Sequence, residues 1–217
     1  RLRTVTGVQT CALPISSGET LKFFGLYFDR HPNDRTFLRH VGLNYDCCHL
    51  AIEYEDAEEA LTRVTGAGIR LSKLHLSSAL KFIPSATNLR LLRGFDEPVY
   101  FHQVVIRDGE NPLRRFRDIP DALAMAAARP GDLGDEWRVH FHVPLHAPPG
   151  GTLDDTRDHL HGALDWMARH PGNCQHLEME TYTWEVLPPE LRSGDVVDQL
   201  VAEYDWTIDE MRRRGLA

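Results

Sequence analysis

Strand-like and helix-like periods alternate roughly five times along this chain, and that alternation restricts its fold more than any single residue does. Residues 41–49 read as a strand ending in polar side chains, and 56–66 as a helix opened by an Asp56-Ala-Glu-Glu59 capping signal. Further strands are expected at 69–78, 100–106, 137–146 and 176–184. Helices are expected within 16–39 (closed by a turn at 31–34), at 88–95, 119–128 and 154–170, and at 196–211. In 154–170 Leu160, Ala163, Leu164 and Met167 follow the i, i+3, i+4, i+7 spacing; the 196–211 helix is built on Leu200, Val201, Tyr204 and Ile208. Connections of this length suit right-handed crossovers between parallel strands, giving an open doubly wound sheet or a closed (β/α)8 barrel. No Gly-x-Gly-x-x-Gly turn follows any strand, so dinucleotide binding lacks support.

A complete barrel takes about 250 residues, more than the 217 present. The first fifteen residues, with Arg3-Thr-Val-Thr-Gly-Val-Gln-Thr-Cys-Ala-Leu-Pro-Ile15, resemble a translated sequencing adaptor and carry no period that continues beyond Ser16. The expectation is that 1–15 is not native and that 16–217 forms the C-terminal part of one barrel domain whose N-terminal strands are missing.

Composition removes several classes of function. A net charge of −8 argues against a nucleic-acid binder. No apolar run approaches the ~18 residues of a membrane helix, so the chain is expected not to span a membrane. The four cysteines, Cys11, Cys47, Cys48 and Cys174, form no disulfide framework, which makes a reducing cytoplasm the default location. Twelve histidines are many for this length, and they gather at strand ends.

Two strands carry the strongest pattern. In Trp137-Arg-Val-His-Phe-His-Val-Pro-Leu-His146, Val139, Phe141 and Val143 point one way while His140 and His142 point the other. In His176-Leu-Glu-Met-Glu-Thr-Tyr-Thr-Trp184, Leu177 and Met179 oppose His176, Glu178, Glu180 and Tyr182. Asp46 with His49, then His75, then His102 add polar residues at three earlier strands. Barrels keep their sites at the C-terminal strand ends, and imidazoles with carboxylates suit a divalent ion such as Mn²⁺, Zn²⁺ or Co²⁺. His102 also fits a core histidine, and His140 with His142 also fit a solvated sheet face. A carboxylate in the apolar 176–184 segment needs a cationic partner, for which Lys73 and Arg138 compete with a metal. Cys48 beside His49 makes a poor thiol nucleophile, because adjacent residues in a strand point apart.

Asp46-Cys-Cys-His49-Leu-Ala-Ile-Glu-Tyr-Glu55, Lys73-Leu-His-Leu-Ser-Ser-Ala-Leu80, His140-Phe-His-Val-Pro144 and Glu180-Thr-Tyr-Thr-Trp184 together resemble the metabolite traffic protein EboE family, among the xylose-isomerase-like (sugar phosphate isomerase/epimerase) TIM barrels. The resemblance runs from about residue 20 to the end. It implies Asp46, His75 and Glu180 as metal ligands (with Glu178 replacing Glu180 in a shifted register), and His49 and Glu180 as catalytic groups. A second metal Glu would come from a strand that the chain lacks. His102, His140, His142 and Tyr182 are expected to contact substrate. The implied function is traffic or processing of a small metabolite, linked to a membrane transport system. The alternatives are a sugar phosphate isomerase/epimerase and a barrel that binds its metabolite without turnover.

Overall fold

The computed structural model describes residues 6–8, 16–34, 36–180, 184–189, 192 and 194–217. In chain order its strands are β1 (Thr6–Val8), β2 (Val41–Asp46), β3 (Leu71–Leu76), β4 (Ala79–Phe82), β5 (Val104–Arg107), β6 (Arg114–Phe116), β7 (Glu136–His142), β8 (Asp154–Asp155) and β9 (Leu177–Met179). The helices are α1 (Ser17–Arg30), α2 (Phe37–His40), α3 (Cys47–Ile52), α4 (Ala57–Gly66), α5 (Ala86–Leu92), α6 (Ile119–Ala128), α7 (Arg157–Arg169) and α8 (Val196–Arg213). The fold is mixed α/β. β1 lies inside the segment expected to be non-native, and it runs parallel to β2.

The expected parallel sheet exists in one half only. β1, β2, β3 and β9 form a parallel sheet in that order. The other sheet, ordered β6-β5-β7-β4-β8, pairs antiparallel throughout. Two features cause the departure. The expected 69–78 strand breaks at Ser77-Ser78, and β4 beyond the break joins the second sheet. Asp108-Gly-Glu-Asn-Pro112 then closes a β5–β6 hairpin, with Gly109 at φ 51°, which reverses the chain before α6. β6 and β7 therefore flank β5, each antiparallel to it. The described residues form no closed barrel.

Pairing of β2 with β3 contains a bulge: Leu43 faces Leu71, but Asn44 faces Lys73. Ser72 is the extra residue, and its hydroxyl donates to the Leu43 carbonyl at 2.9 Å. Unbulged, the register would set Asp46 opposite Leu74; with Ser72 inserted, Asp46 faces His75. Beside the bulge, a Cβ on Gly42 would come 2.6 Å from the Arg70 carbonyl oxygen, so the strands approach this closely because residue 42 has no side chain.

Each sheet has its own core. Tyr45, Leu61, Val64, Leu74, Leu160, Leu164 and Trp166 pack α4 and α7 onto the parallel sheet. Phe82, Ile106, Ile119, Trp137, Val139 and Phe141 fill the space under the antiparallel sheet. Cys48 and Ile52 of α3 meet Ala79 and Val105 at the junction.

Helix α8 departs from its expected orientation: Leu200 and Ile208 are only half-buried, and Val201 and Tyr204 face solvent. Its buried positions are Gln199, Glu203, Thr207 and Glu210, while Val197, Val201 and Tyr204 are 60%, 55% and 56% exposed. Two of the inward residues find polar or sulfur partners: Glu203 Oε1 accepts from the Leu145 amide at 3.1 Å, and the Thr207 hydroxyl donates to Met179 Sδ at 3.2 Å. Among the described residues, no helix is long and apolar enough to cross a membrane.

Glu203 Oε2 is buried with no hydrogen-bond partner among the described residues, and burial raises this carboxyl to about 7, against the Leu145 bond that lowers it. A carboxyl raised in the folded state contributes stability that is complete below its unfolded value of ~4.3 and is lost as pH climbs through ~7. Replacing Glu203 with Gln is expected to leave the unfolding free energy unchanged at the acid end and to raise it at pH 8, by on the order of 1–3 kcal/mol. Urea titrations at the two pH values measure it, and equal stabilities at pH 8 would remove the assignment.

Candidate metal centre

Strand β2 stops at Asp46 because this side chain turns back to cap α3. Its Oδ1 accepts from the amides of Cys48 (3.0 Å) and His49 (3.3 Å) and from the Ser77 hydroxyl (2.7 Å). Residues 47–49, expected to extend the strand, are helical for that reason. Asp46 Oδ2 lies 3.1 Å from His75 Nδ1 and 3.7 Å from His49 Nε2. Asp46 is only 2% exposed. Burial alone would favour its neutral form, but His49, the bonds from His75 and Ser77, and His142 together hold the carboxyl well below the usual range.

His75 faces Asp46 across the bulged register and is 3% exposed. Its Nδ1 also lies 3.3 Å from Glu180 Oε2. Burial opposes charging of the ring, but the two carboxylates outweigh it and lift His75 to about 9. Glu180 follows directly on β9, which pairs with β3 so that Leu76 faces Met179. One ligand atom each from Asp46, His75 and Glu180 fall within 4.8 Å of one another, a grouping that could hold a metal ion.

Glu178 stands at the rim. Its Oε2 accepts from Lys73 Nζ at 2.8 Å, a bond that, ahead of other causes, holds its carboxyl below the ordinary range, and its Oε1 is 3.8 Å from His75 Nε2. Lys73 is therefore the cationic partner anticipated for one of the two glutamates; both approach the His75 ring, and Glu180 is the one grouped with His75 and Asp46.

A second group of imidazoles adjoins the first. His140 and His142 project from one face of β7, opposite the buried Val139 and Phe141, as the alternation predicts. The His49 ring meets His140 edge-on at 4.5 Å and His142 at 6.0 Å, and His142 Nδ1 is 3.6 Å from Glu180 Oε2. Burial is the main cause holding His140 far below the ordinary imidazole range; His142 is also lowered, chiefly by burial. Two more groupings could take a metal: Asp46, His49 and His142, and Cys48, His140 and His142.

His102 lies apart from this cluster. Its Nδ1 bonds the His140 carbonyl at 2.9 Å and its Nε2 bonds Glu97 Oε1 at 3.0 Å, while the ring packs on Phe141 at 4.9 Å. With both nitrogens engaged it steadies β7 and presents no free ring atom to a substrate. Tyr182 lies outside the described residues. Two other buried groups lie outside the expected site residues. His159 sits inside the apolar stripe of α7, donates from Nδ1 to the Glu55 carbonyl at 3.1 Å, and accepts the Tyr45 hydroxyl at Nε2 at 2.9 Å; burial lowers it to about 4. Cys48 joins the histidines because α3 begins at residue 47 instead of continuing the strand, and burial followed by the Asp46 charge push its thiol well up. The apolar spacing of α7 gave a signal for His159; Cys48 stands out beside His49, but a strand expected throughout 41–49 sets it aside, whereas residue 47 begins a helix.

No family model, curated protein or solved structure matches the chain.

Replacing Asp46 with Asn would leave the buried His75 imidazolium facing an amide and remove the anion that accepts the α3 cap. In the chelator-treated protein the expected loss is about 3–5 kcal/mol, as for a broken buried ion pair, whereas Ser77→Ala should lose only about 1 kcal/mol. Urea unfolding measures both, and equal costs would show that Asp46 is not the hub of this site.

Proposed function

We propose that the chain binds one divalent cation through Asp46, His75 and Glu180 and handles a small metabolite bearing a hydroxyl or carbonyl, in the manner of the EboE family it resembles. The single observation behind this function is the meeting of three ligand atoms from β2, β3 and the end of β9 within 4.8 Å. The donor set, one nitrogen with two oxygens, suits Mn²⁺, Zn²⁺ or Co²⁺. The fit is also electrostatic: the proton on His75 Nδ1 sits between two carboxylate oxygens, at 3.1 and 3.3 Å, where positive charge is already favoured. Cation binding requires His75 to give up that proton, so affinity falls with acidity. When bound, such an ion polarises a substrate oxygen or lowers the pKa of a water.

This chain's own residues supply the rest. Asp46 and the Ser77 hydroxyl fix the ligand geometry from beneath. Lys73 and Glu178 set a charged pair at the rim, suited to orienting a polar metabolite. His49 Nδ1 is buried with no hydrogen-bond partner among the described residues, so it is available to exchange a hydrogen bond with a bound oxygen. The reading extends to architecture: β2, β3 and β9 run parallel and present their ligands at or just beyond their C-terminal ends, as the strands of a xylose-isomerase-like barrel do. A place beside a membrane transport step rests on the resemblance alone.

Elemental mass spectrometry tests the proposal. The expected result is Mn, Zn or Co bound at near-stoichiometric level, with Glu180→Gln weakening the affinity by at least about tenfold, as disturbance of a metal's ligand shell does. Metal retention without ketose epimerisation would identify a metabolite-binding protein without turnover, and epimerisation would identify an isomerase. Absence of metal, or metal unaffected by Glu180→Gln, would remove the cation from the function.

A further inference from the structure

We propose that Cys48, His140 and His142 form a second cation site, softer than the first and selective for Zn²⁺ over Mn²⁺. It goes beyond the Asp46–His75–Glu180 site and shares no ligand with it: its residues come from α3 and β7. One ligand atom each from Cys48, His140 and His142 lie within 4.8 Å of one another. Two independent elements bring them there. Cys48 is the second residue of α3, its amide fixed by Asp46 Oδ1 at 3.0 Å and by the Ser77 hydroxyl at 2.9 Å. His140 and His142 are alternate residues on one face of β7, and that strand is held by β4 on one side and β5 on the other. The ring packing among His49, His140 and His142 closes the group.

A buried cysteine among apolar neighbours is ordinarily a small hydrophobe. Cys48 does pack with Ile52, Ala79 and Val105. Two imidazoles on its other side are not explained by that role. His140 Nε2 is buried and has no hydrogen-bond partner among the described residues, an arrangement that costs free energy unless something binds the nitrogen.

One sulfur and two nitrogens make a set that favours zinc, cobalt or copper over the oxygen-seeking Mn²⁺ and Mg²⁺. On binding, the Cys48 S–H bond breaks, a sulfur–metal bond forms, and the proton leaves to solvent. No electrons are exchanged. Three protein ligands leave a tetrahedral position open, as in reactive rather than purely structural zinc sites. An ion held there would neighbour the first site through His142, which lies 3.6 Å from Glu180.

Cobalt is the probe, because a thiolate bound to Co²⁺ gives a near-ultraviolet charge-transfer band that oxygen and nitrogen ligands do not. The full chain, stripped with chelator under reducing conditions, is titrated with Co²⁺ alone. Two equivalents and the thiolate band are expected. Cys48→Ser should remove the band and one equivalent. Glu180→Gln should remove one equivalent and keep the band, so failure of the first site is distinguishable from failure of this one. Added Zn²⁺ should erase the band while Mn²⁺ leaves it. A saturated wild-type protein without the band overturns the proposal, as does a band that survives in folded Cys48→Ser. Bleaching by Mn²⁺ as effective as by Zn²⁺ overturns the selectivity. Should Cys48→Ser not fold, His140→Gln decides: loss of band intensity and one equivalent supports the site, and an unchanged spectrum and stoichiometry overturns it.

Discussion

Everything around the candidate site is arranged to keep one buried charge solvated by protein. The Asp46 carboxylate has no access to bulk water, and a bare anion there would be costly. Two amides of α3, the Ser77 hydroxyl and the His75 ring replace the lost hydration. Each of those donors comes from an element that must end, bend or start at a fixed place. The strand must stop at residue 46, a helix must begin at 47, and β3 must break just past residue 76. The same carboxylate thus sets local backbone geometry and gathers the imidazoles.

The convergence does not require a closed barrel. Ser77 and Ser78 sit where one sheet gives way to the other, and the chain leaves the parallel sheet as β3 and enters the antiparallel one as β4. The end of β7 returns to that same seam: Ala79 faces His142, and the Val143 amide donates to the Ser78 carbonyl at 3.0 Å. The ends of β2, β3, β7 and β9 therefore meet although β7 belongs to another sheet. Side-chain alternation decides which face is polar, whereas the ends of the strands decide which polar faces meet.

Much of this was legible from residues. The face assignments in β7 and the placement of α4, α6 and α7 follow from periodicity, because burial acts on side chains at fixed intervals. What failed was partner direction: alternation says that a strand has a buried face, and nothing about the orientation of its neighbour. Asp108-Gly-Glu-Asn-Pro112 carried hairpin chemistry that marks the reversal, and β6 beyond it is too short and too charged to show a period. His102, in a β-branched run, fits a core histidine as well as a substrate contact, and the core role is the one found: the ladder begins only at Val104 and its ring is saturated by Glu97 and the His140 carbonyl. In α8, Val201 and Tyr204 of the expected apolar stripe face solvent while Leu200 and Ile208 are half-buried, because Glu203 and Thr207 find partners inward that hydropathy does not register.

The three ligands of the proposed first site are not held with equal firmness. Asp46 and His75 come from strands flanked on both sides, β2 by β1 and β3, and β3 by β2 and β9. Glu180 comes immediately after a three-residue edge strand whose outer side has no neighbour in the sheet among the described residues. Edges open locally at far less free energy than interior strands do. An ion seated among these three atoms would therefore exchange by first losing Glu180, while Asp46 and His75 stay in place. Its residence time would be a property of β9, separable from the affinity that the interior pair sets.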